Sequence, residues 1–200
     1  MIAADSIRHS FGDREVLRDV ALTLQQGEVV GLFGLNGAGK SVLLQILFGQ
    51  LRARHVFISV DGRRVRVPYR IPGLITFRSQ GRIFPHHLTV EYVLRLHRVE
   101  ESAFYTRYPE FAGTEHYRMS RLNWRLFETL VLLEVPTRFT LLDEPYAGLS
   151  PLSVEHVQGA ILRNRLSKGI LMTDHSHREV LTISDRNYVL AEGALRAGYP

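Results

Sequence analysis

The sequence predicts an α/β fold in which buried strands alternate with helices and a helical segment is inserted between two of the strands. Short apolar runs bounded by turn residues recur along most of the chain. Between about residues 84 and 137 this strand pattern disappears, and amphipathic segments replace it. With 200 residues and 45% apolar composition the chain can bury one good core, so we expect a single domain.

The elements follow from hydrophobic periodicity and turn residues, taken in chain order. Strands are predicted at residues 2–9, 16–25, 28–33, 54–60, 74–77, 138–143, 169–173 and 187–191. Helices are predicted at 40–49, 150–167 and 177–184. The amphipathic pieces of the middle segment are 88–96, 102–108 and 120–134.

One segment has the complete pattern of a phosphate-binding loop, G-x-x-x-x-G-K-[ST]. It is Gly34-Leu35-Asn36-Gly37-Ala38-Gly39-Lys40-Ser41. A predicted strand leads into it and a predicted helix follows it, a context that a chance glycine-rich turn lacks. Glycines let backbone N–H groups turn toward phosphate oxygens, Lys40 reaches the β and γ phosphates, and the Ser41 hydroxyl ligates Mg²⁺. The segment therefore predicts a nucleoside triphosphate site.

Two more buried strands end in polar residues. The first is Phe139-Thr140-Leu141-Leu142-Asp143-Glu144-Pro145, and α/β sheets bind ligands at such carboxyl ends. We expect Asp143 to hold Mg²⁺ through water and Glu144 to polarise the water that attacks the γ phosphate. A helix N-cap after a strand would explain one of these acids but not the pair together with the upstream loop.

The second of these strands runs from Ile170 to Thr173 and is followed by Asp174 and His175. We expect His175 to contact the γ phosphate. A lone histidine in a turn is usually structural, and it is the presence of the other two motifs that favours a functional role.

Composition limits the remaining function classes. The absence of cysteine excludes a disulfide framework and a thiolate metal site. No apolar run approaches the ~20 residues that span a bilayer, and Met1 to Asp5 lack the layout of a signal peptide, so we expect a cytoplasmic protein that meets the membrane through a partner. The net charge of +5 comes from arginines scattered along the chain, a pattern that argues against nucleic acid as a partner.

The order of the motifs resembles that of the ATP-binding cassette (ABC) ATPases, and more narrowly that of the bacterial transporter ATPases for lipopolysaccharide export and branched-chain amino-acid uptake. The resemblance covers nearly the whole chain. Residues 10–20 resemble the first hairpin of the family, with Phe11 at the position of the aromatic ring that stacks on adenine. An ordinary core aromatic is the alternative for Phe11.

Three later segments carry the same resemblance. Gln80, followed by Ile83-Phe84-Pro85-His86-His87-Leu88-Thr89-Val90-Glu91, is similar to the Q-loop and the entry to the helical subdomain. Residues 143–151 resemble the Walker B motif and the D-loop, and residues 173–175 resemble the switch-histidine loop.

This resemblance implies a P-loop NTPase (RecA-like) core of residues 1–83 and 138–200, with an N-terminal antiparallel β subdomain, and a small helical subdomain at 84–137. It implies ATP and Mg²⁺ as ligands, an integral membrane permease as partner, and a homodimer or a heterodimer with a second ABC ATPase. It also implies a peripheral location on the inner face of the cell membrane. The implied catalytic residues are Glu144, His175 and Gln80, and the implied metal ligands are Ser41, Gln80 and Asp143. The implied nucleotide contacts are Phe11, Gly34, Leu35, Asn36, Gly37, Ala38, Gly39, Lys40, Ser41, Val42 and Ser120.

The sequence departs from the family pattern in two places. Gln80 lies one or two residues closer to Phe84-Pro85 than expected, so Ser79 competes for its position. The family signature Leu-Ser-Gly-Gly-Gln is replaced by Met119-Ser120-Arg121-Leu122-Asn123, which keeps the serine and loses both glycines. In a head-to-tail dimer this segment approaches the γ phosphate of the other subunit, and side chains there crowd the approach.

Three functions follow from these features. The favoured one is an ATP-hydrolysing subunit of a transporter. The altered signature favours an alternative, a regulatory or structural ATP switch with little hydrolysis, which the intact Asp143-Glu144 pair and His175 oppose. A cassette ATPase that acts on DNA or the ribosome is disfavoured, because two cassettes or a long coiled coil do not fit in 200 residues.

Overall fold

The computed structural model describes residues 1–85, 87–114 and 119–198, whose strands form two sheets. His86 and residues 115–118 belong to the predicted helical segment and lie outside the described residues.

The first sheet is antiparallel and has four strands. It contains β1 (Ile2–Phe11), β2 (Arg14–Leu24), β4 (His55–Val60) and β5 (Arg63–Arg64), in the order β2-β1-β4-β5. β1 and β2 form a hairpin that is closed by the pairing of Phe11 with Arg14. This hairpin brings Phe11 to the end of the sheet.

The second sheet has six strands and forms the centre of the fold. It contains β3 (Val29–Phe33), β6 (Ile75–Arg78), β7 (Phe139–Asp143), β8 (Gly169–Thr173), β9 (Arg186–Ala191) and β10 (Ala194–Ala197), in the order β10-β9-β3-β8-β7-β6. All neighbours pair in parallel except β9 and β10. Every residue of β3, β7 and β8 is buried, as expected for parallel strands covered on both faces.

Helices cover both faces of this central sheet. They are α1 (Lys40–Phe48), α2 (Val90–Leu96), α3 (Glu101–Arg107), α4 (Arg121–Glu134), α5 (Pro151–Asn164) and α6 (His177–Leu181). Alternate residues of β3 point to different cores: Val29 and Phe33 pack with α2 to α5, whereas Val30 and Leu32 pack with α1 and the antiparallel sheet. The central sheet therefore separates two apolar cores, and its strand ends lie between them.

The structure confirms the predicted fold class and adds two strands. β5 and β10 were not predicted, because a two-residue strand and a four-residue edge strand give too short a pattern to recognise. Two predicted helices were too long, since α5 ends at Asn164 and α6 ends at Leu181. The division of the chain into subdomains at residues 84 and 137 stays a prediction.

Candidate functional site

The predicted phosphate-binding loop connects β3 to α1 in a conformation that only glycine allows at two positions. Gly34 and Gly39 have φ values of 148° and 106°. A Cβ atom on Gly34 would lie 2.4 Å from the Leu190 carbonyl oxygen, and one on Gly39 would lie 2.7 Å from Cγ1 of Val16. The loop is therefore packed between β9 of the central sheet and β2 of the antiparallel sheet, and it leads directly into the N-terminus of α1.

Lys40 is held over this loop. Its Nζ atom donates hydrogen bonds to the carbonyl oxygens of Gly34 at 2.6 Å and Leu35 at 3.2 Å. The residue is only 7% exposed, and this burial lowers the pKa of the amine, while the charges of Glu144 and Asp143 oppose the shift. The ammonium group thus lies between the loop and the two acids.

Gln80 lies beside Ser41, the residue of the phosphate-binding loop that carries a hydroxyl group. Nε2 of Gln80, which follows β6, is 3.4 Å from Oγ of Ser41 in the first turn of α1. Ser79, the competing residue, makes no such hydrogen bond within the part of the chain that the structure describes. The geometry therefore brings together Gln80 and Ser41, two of the three predicted metal ligands.

Asp143 ends β7 and is fixed by a neighbour that the sequence analysis did not single out. Asp143 pairs in register with Thr173 of β8, whose Oγ1 donates a hydrogen bond to Oδ1 of Asp143 at 2.9 Å. Asp143 is 2% exposed, so Thr173 replaces a water that the carboxylate would otherwise bind. The parallel pairing of two strands that both end in polar residues was the signal that could have identified Thr173.

Glu144 follows in a left-handed backbone conformation, with φ at 51°. Its N–H donates to the Thr173 carbonyl at 3.0 Å, and its own carbonyl accepts from Nη2 of Arg125 at 2.8 Å. Nε2 of His175 lies 3.0 Å from Oε1 of the Glu144 carboxylate. Left-handed backbone in a non-glycine residue costs about 1–3 kcal/mol and is found where the surroundings impose it, often at functional sites.

Asp174 holds the loop that carries His175. Its carboxylate accepts the backbone N–H groups of Tyr146 at 2.8 Å and of Ser176 at 2.9 Å. These bonds tie the segment after β7 to the segment after β8. The sequence analysis included Asp174 only as part of the motif, without this role.

These elements enclose an open cleft of about 600 Å³. Its predicted lining residues are Phe11, Asn36, Gly37, Gly39, Lys40, Ser41, Val42, Gln80, Glu144 and His175, and it is also lined by Arg14 and Val16. Phe11 is 54% exposed and packs edge-on against His9, with ring centroids 4.7 Å apart, so it is not a core aromatic.

The other predicted site residues do not line the cleft. Gly34, Leu35, Ala38 and Asp143 belong to the loop backbone and the strand end behind it. Ser120 is the N-cap of α4, where its Oγ accepts the backbone N–H of Asn123 at 3.1 Å.

The described residues contain no cluster of three or more histidine, aspartate or glutamate side chains placed to hold a metal ion. Ser41, Asp143 and Gln80 offer one carboxylate and two neutral oxygens. This donor set fits Mg²⁺, which keeps several waters and is commonly held by one or two carboxylates together with substrate phosphates.

Comparison with known proteins identifies the family. The family model for ABC transporters matches residues 17–147, more than half of the chain. The chain belongs to the ABC transporter family. Within this family it is an ATP-binding, ATP-hydrolysing subunit, and the assignment supports the transporter ATPase over the regulatory switch.

Two relatives illustrate the similarity. A lipopolysaccharide export system ATP-binding protein, LptB, from Acidithiobacillus ferridurans is 33% identical over 100% of this chain and 90% of its own length. A probable ABC transporter ATP-binding protein from Azorhizobium caulinodans is 35% identical over 97% of this chain and 75% of its own length.

A solved structure of an ATP-binding subunit of an ABC transporter superposes on this ABC subunit with a TM-score of 0.86, covering 99% of this chain and 89% of that one at 22% identity. This likeness concerns the fold. Among the helices of the described residues, none has the length and apolar character needed to cross a bilayer.

Proposed function

We propose that this ABC subunit binds MgATP in the 600 Å³ cleft and couples its hydrolysis to translocation by an integral membrane permease. One observation carries the proposal. Lys40, Ser41, Gln80, Glu144 and His175 come from four separate segments of the chain, yet all five line the same cleft. A purely structural loop gives no reason for this convergence.

The proposed binding roles follow from the chemistry of each group. Lys40 and the loop amides bind the β and γ phosphates, because the ammonium group and N–H dipoles complement their charge. Phe11 is exposed at the mouth of the cleft, where its ring can stack on a base. Ser41, Asp143 and Gln80 hold Mg²⁺, which neutralises charge on the phosphate oxygens when it is bound.

The proposed catalytic roles belong to Glu144 and His175. The Glu144 carboxylate accepts a proton from the attacking water, and its hydrogen bond to His175 orients the accepting oxygen. The imidazole also faces the open cleft, where it can donate to a γ-phosphate oxygen. The rate enhancement then comes mainly from positioning and charge stabilisation, as in other phosphoryl transfers.

The proposed assembly is a dimer, with either a second copy or a second ABC ATPase, docked on the permease at the inner face of the membrane. Ser120 and the start of α4 do not line this chain's own cleft, which supports a contribution of that segment to the cleft of the other subunit. The homodimer and the heterodimer remain alternatives.

The metal assignment is tested by a matched pair of variants, Gln80→Ala and Ser79→Ala. ATP hydrolysis is measured as a function of Mg²⁺ concentration for both variants and the wild type. We expect Gln80→Ala to raise the Mg²⁺ requirement by about tenfold, the value of one hydrogen bond to a charged group, and Ser79→Ala to leave it unchanged. Equal Mg²⁺ requirements in all three proteins would contradict the assignment of Gln80 as a Mg²⁺ ligand.

A further inference from the structure

A second cavity, of about 250 Å³, adjoins the nucleotide cleft and is lined by four arginines. Gln80 lines both spaces and is the residue that their walls share. The arginines are Arg78 at the end of β6, Arg82 in the following loop, and Arg121 and Arg125 in the first turns of α4. Arg121 belongs to the altered signature segment, and none of the four arginines is among the predicted site residues.

Among the residues that the structure describes, Glu128 is the only acid in the cavity wall, and its single charge balances one of the four arginines. Oε2 of Glu128 accepts from Nη2 of Arg78 at 3.5 Å. Oε1 of Glu128 accepts the backbone N–H groups of Ile83 at 2.6 Å and Phe84 at 2.9 Å, and Nε1 of Trp124 at 3.1 Å. Glu128 therefore neutralises Arg78 through Oε2, while its Oε1 accepts hydrogen bonds from uncharged donors.

The neighbouring acids are also engaged elsewhere. The Glu144 carboxylate bonds to His175, and only the backbone carbonyl of Glu144 accepts from Arg125. Asp143, whose charge favours protonated Arg78, is bonded to Thr173. Within the described part of the chain, three of the four guanidinium groups thus have no carboxylate partner.

Residues of the cavity wall also carry donors and charges without a partner among the described residues. The Nε atom of Arg125 is buried and has no hydrogen-bond partner. Arg82 and Arg121 are exposed and form no ion pair with any residue that the structure describes. Burial and the nearby charge of Arg125 lower the pKa of Arg78 to about 10, as expected where like charges are not fully compensated.

We propose that this cavity is a second anion site, which takes a phosphate group beside the nucleotide cleft. A tetrahedral oxyanion can accept from several guanidinium forks at once, and a divalent anion matches the three uncompensated charges better than a single carboxylate does. The phosphate group comes either from free inorganic phosphate or from a nucleotide. The assignment concerns the arginine cavity alone and does not depend on the catalytic roles proposed above.

The chain carries its own reporter for this site. Trp124 lines the cavity and is the single tryptophan of the sequence. Its fluorescence is titrated with inorganic phosphate at constant ionic strength, with chloride as the balancing anion. The titration uses the wild type and Lys40→Ala, in which the phosphate-binding loop of the main cleft has lost its lysine.

We expect a saturable fluorescence change in both proteins. The double variant Arg82→Gln/Arg121→Gln should weaken the apparent affinity at least about tenfold, because two charge-assisted donors are lost at exposed positions that the fold does not need. The matched control Arg63→Gln/Arg66→Gln removes the same charge from exposed positions outside the cavity and should leave the affinity unchanged. Thermal unfolding of both double variants checks that each is folded.

Two results would overturn the proposal: no saturable change in the wild type, or the same affinity in the cavity variant as in the wild type. The source of the phosphate group is decided in Lys40→Ala by adding ATP. Displacement of inorganic phosphate by ATP assigns the cavity to nucleotide phosphate, and no displacement assigns it to the free ion. Failure of the wild type to bind MgATP would contradict the proposed function and leave this fluorescence result standing.

Discussion

Nε2 of His175 and Oε1 of Glu144 lie 3.0 Å apart, and the two residues follow neighbouring parallel strands. The side chain of Glu144 is 19% exposed and that of His175 is 48% exposed, so the histidine is the partner that faces the solvent. The register of β7 and β8 sets this contact, and it orients the carboxylate before any substrate binds.

Replacement of Glu144 by glutamine should separate binding from turnover. Glu144→Gln keeps the shape of the side chain but removes the basic oxygen, so we expect unchanged MgATP affinity and hydrolysis reduced at least about 100-fold. Calorimetry and a phosphate-release assay measure the two quantities. A turnover rate equal to that of the wild type would mean that another group acts as the base.

Removal of the Lys40 amine should abolish tight nucleotide binding. Lys40→Ala deletes the cation that lies over the loop, and the loss of hydrogen bonds to phosphate should weaken MgATP binding by about 100-fold or more. The control Arg66→Ala removes an exposed charge outside the cleft and should leave binding unchanged. Wild-type affinity in Lys40→Ala, measured by calorimetry, would contradict the phosphate-loop assignment.

Lys168 should make the stability of the protein depend on pH in the alkaline range. Its Nζ atom donates to the carbonyl oxygens of Leu133 and Val135 at the C-terminal end of α4, and burial lowers its pKa to about 8 from an ordinary value of 10.5. Between these two values the unfolded chain binds more protons than the folded one, so the free energy of unfolding should rise with pH. The rise amounts to about 3 kcal/mol in all, is complete above pH 10.5 and is lost as the pH falls through 8.

The comparison for this prediction is Lys168→Met. Urea unfolding of both proteins at several pH values between 7.5 and 10.5 gives the free energy of unfolding as a function of pH. The difference between the two curves isolates Lys168, because the other titrating groups contribute equally to both. Lys168→Met is expected to be less stable, because the Leu133 and Val135 carbonyls lose their donor, but to lack the rise. Parallel curves for the two proteins would show that Lys168 titrates normally.

Replacement of only one partner of the buried ion pair Arg78–Glu128 should strongly destabilise the protein. Each residue is 1% exposed, so Glu128→Gln leaves a buried guanidinium without its acid and should lower the free energy of unfolding by about 3–5 kcal/mol. The double variant Arg78→Leu/Glu128→Gln removes both charges and should recover part of this loss. Urea unfolding of the two single variants and the double variant forms the test, and strictly additive losses would contradict a direct interaction.

The altered signature should limit the isolated subunit. If Arg121 and Leu122 crowd the contact with a second subunit, the wild type binds ATP as a monomer and hydrolyses it slowly, because the opposing lid that excludes water is missing. Arg121→Gly/Leu122→Gly should then dimerise with ATP in the Glu144→Gln background and hydrolyse it faster in the Glu144 background. Sedimentation and ATPase rates measure both. A wild type that already dimerises and turns over rapidly would show that residues 119–123 are a tolerated variant.

Much of the fold and of the cleft was predictable because the signals are local. The loop glycines, Lys40 and the acids at the end of β7 occur in contiguous patterns whose spacing has a direct physical reason. The pairing of Arg78 with Glu128 was not predictable, since 50 residues separate them and neither position has an unusual local pattern. The contact of Thr173 with Asp143 was missed for a related reason, because it depends on the register of two strands that are distant in sequence.

Glu128 binds the loop after β6 to the second turn of α4 through the N–H groups of Ile83 and Phe84. The placement of this helix is therefore secured one turn beyond its first residues. We therefore expect substitutions at the exposed residues 121–123 to change the stability of the fold very little. The contribution of the signature to hydrolysis can therefore change during evolution while the thermal stability of the protein stays the same.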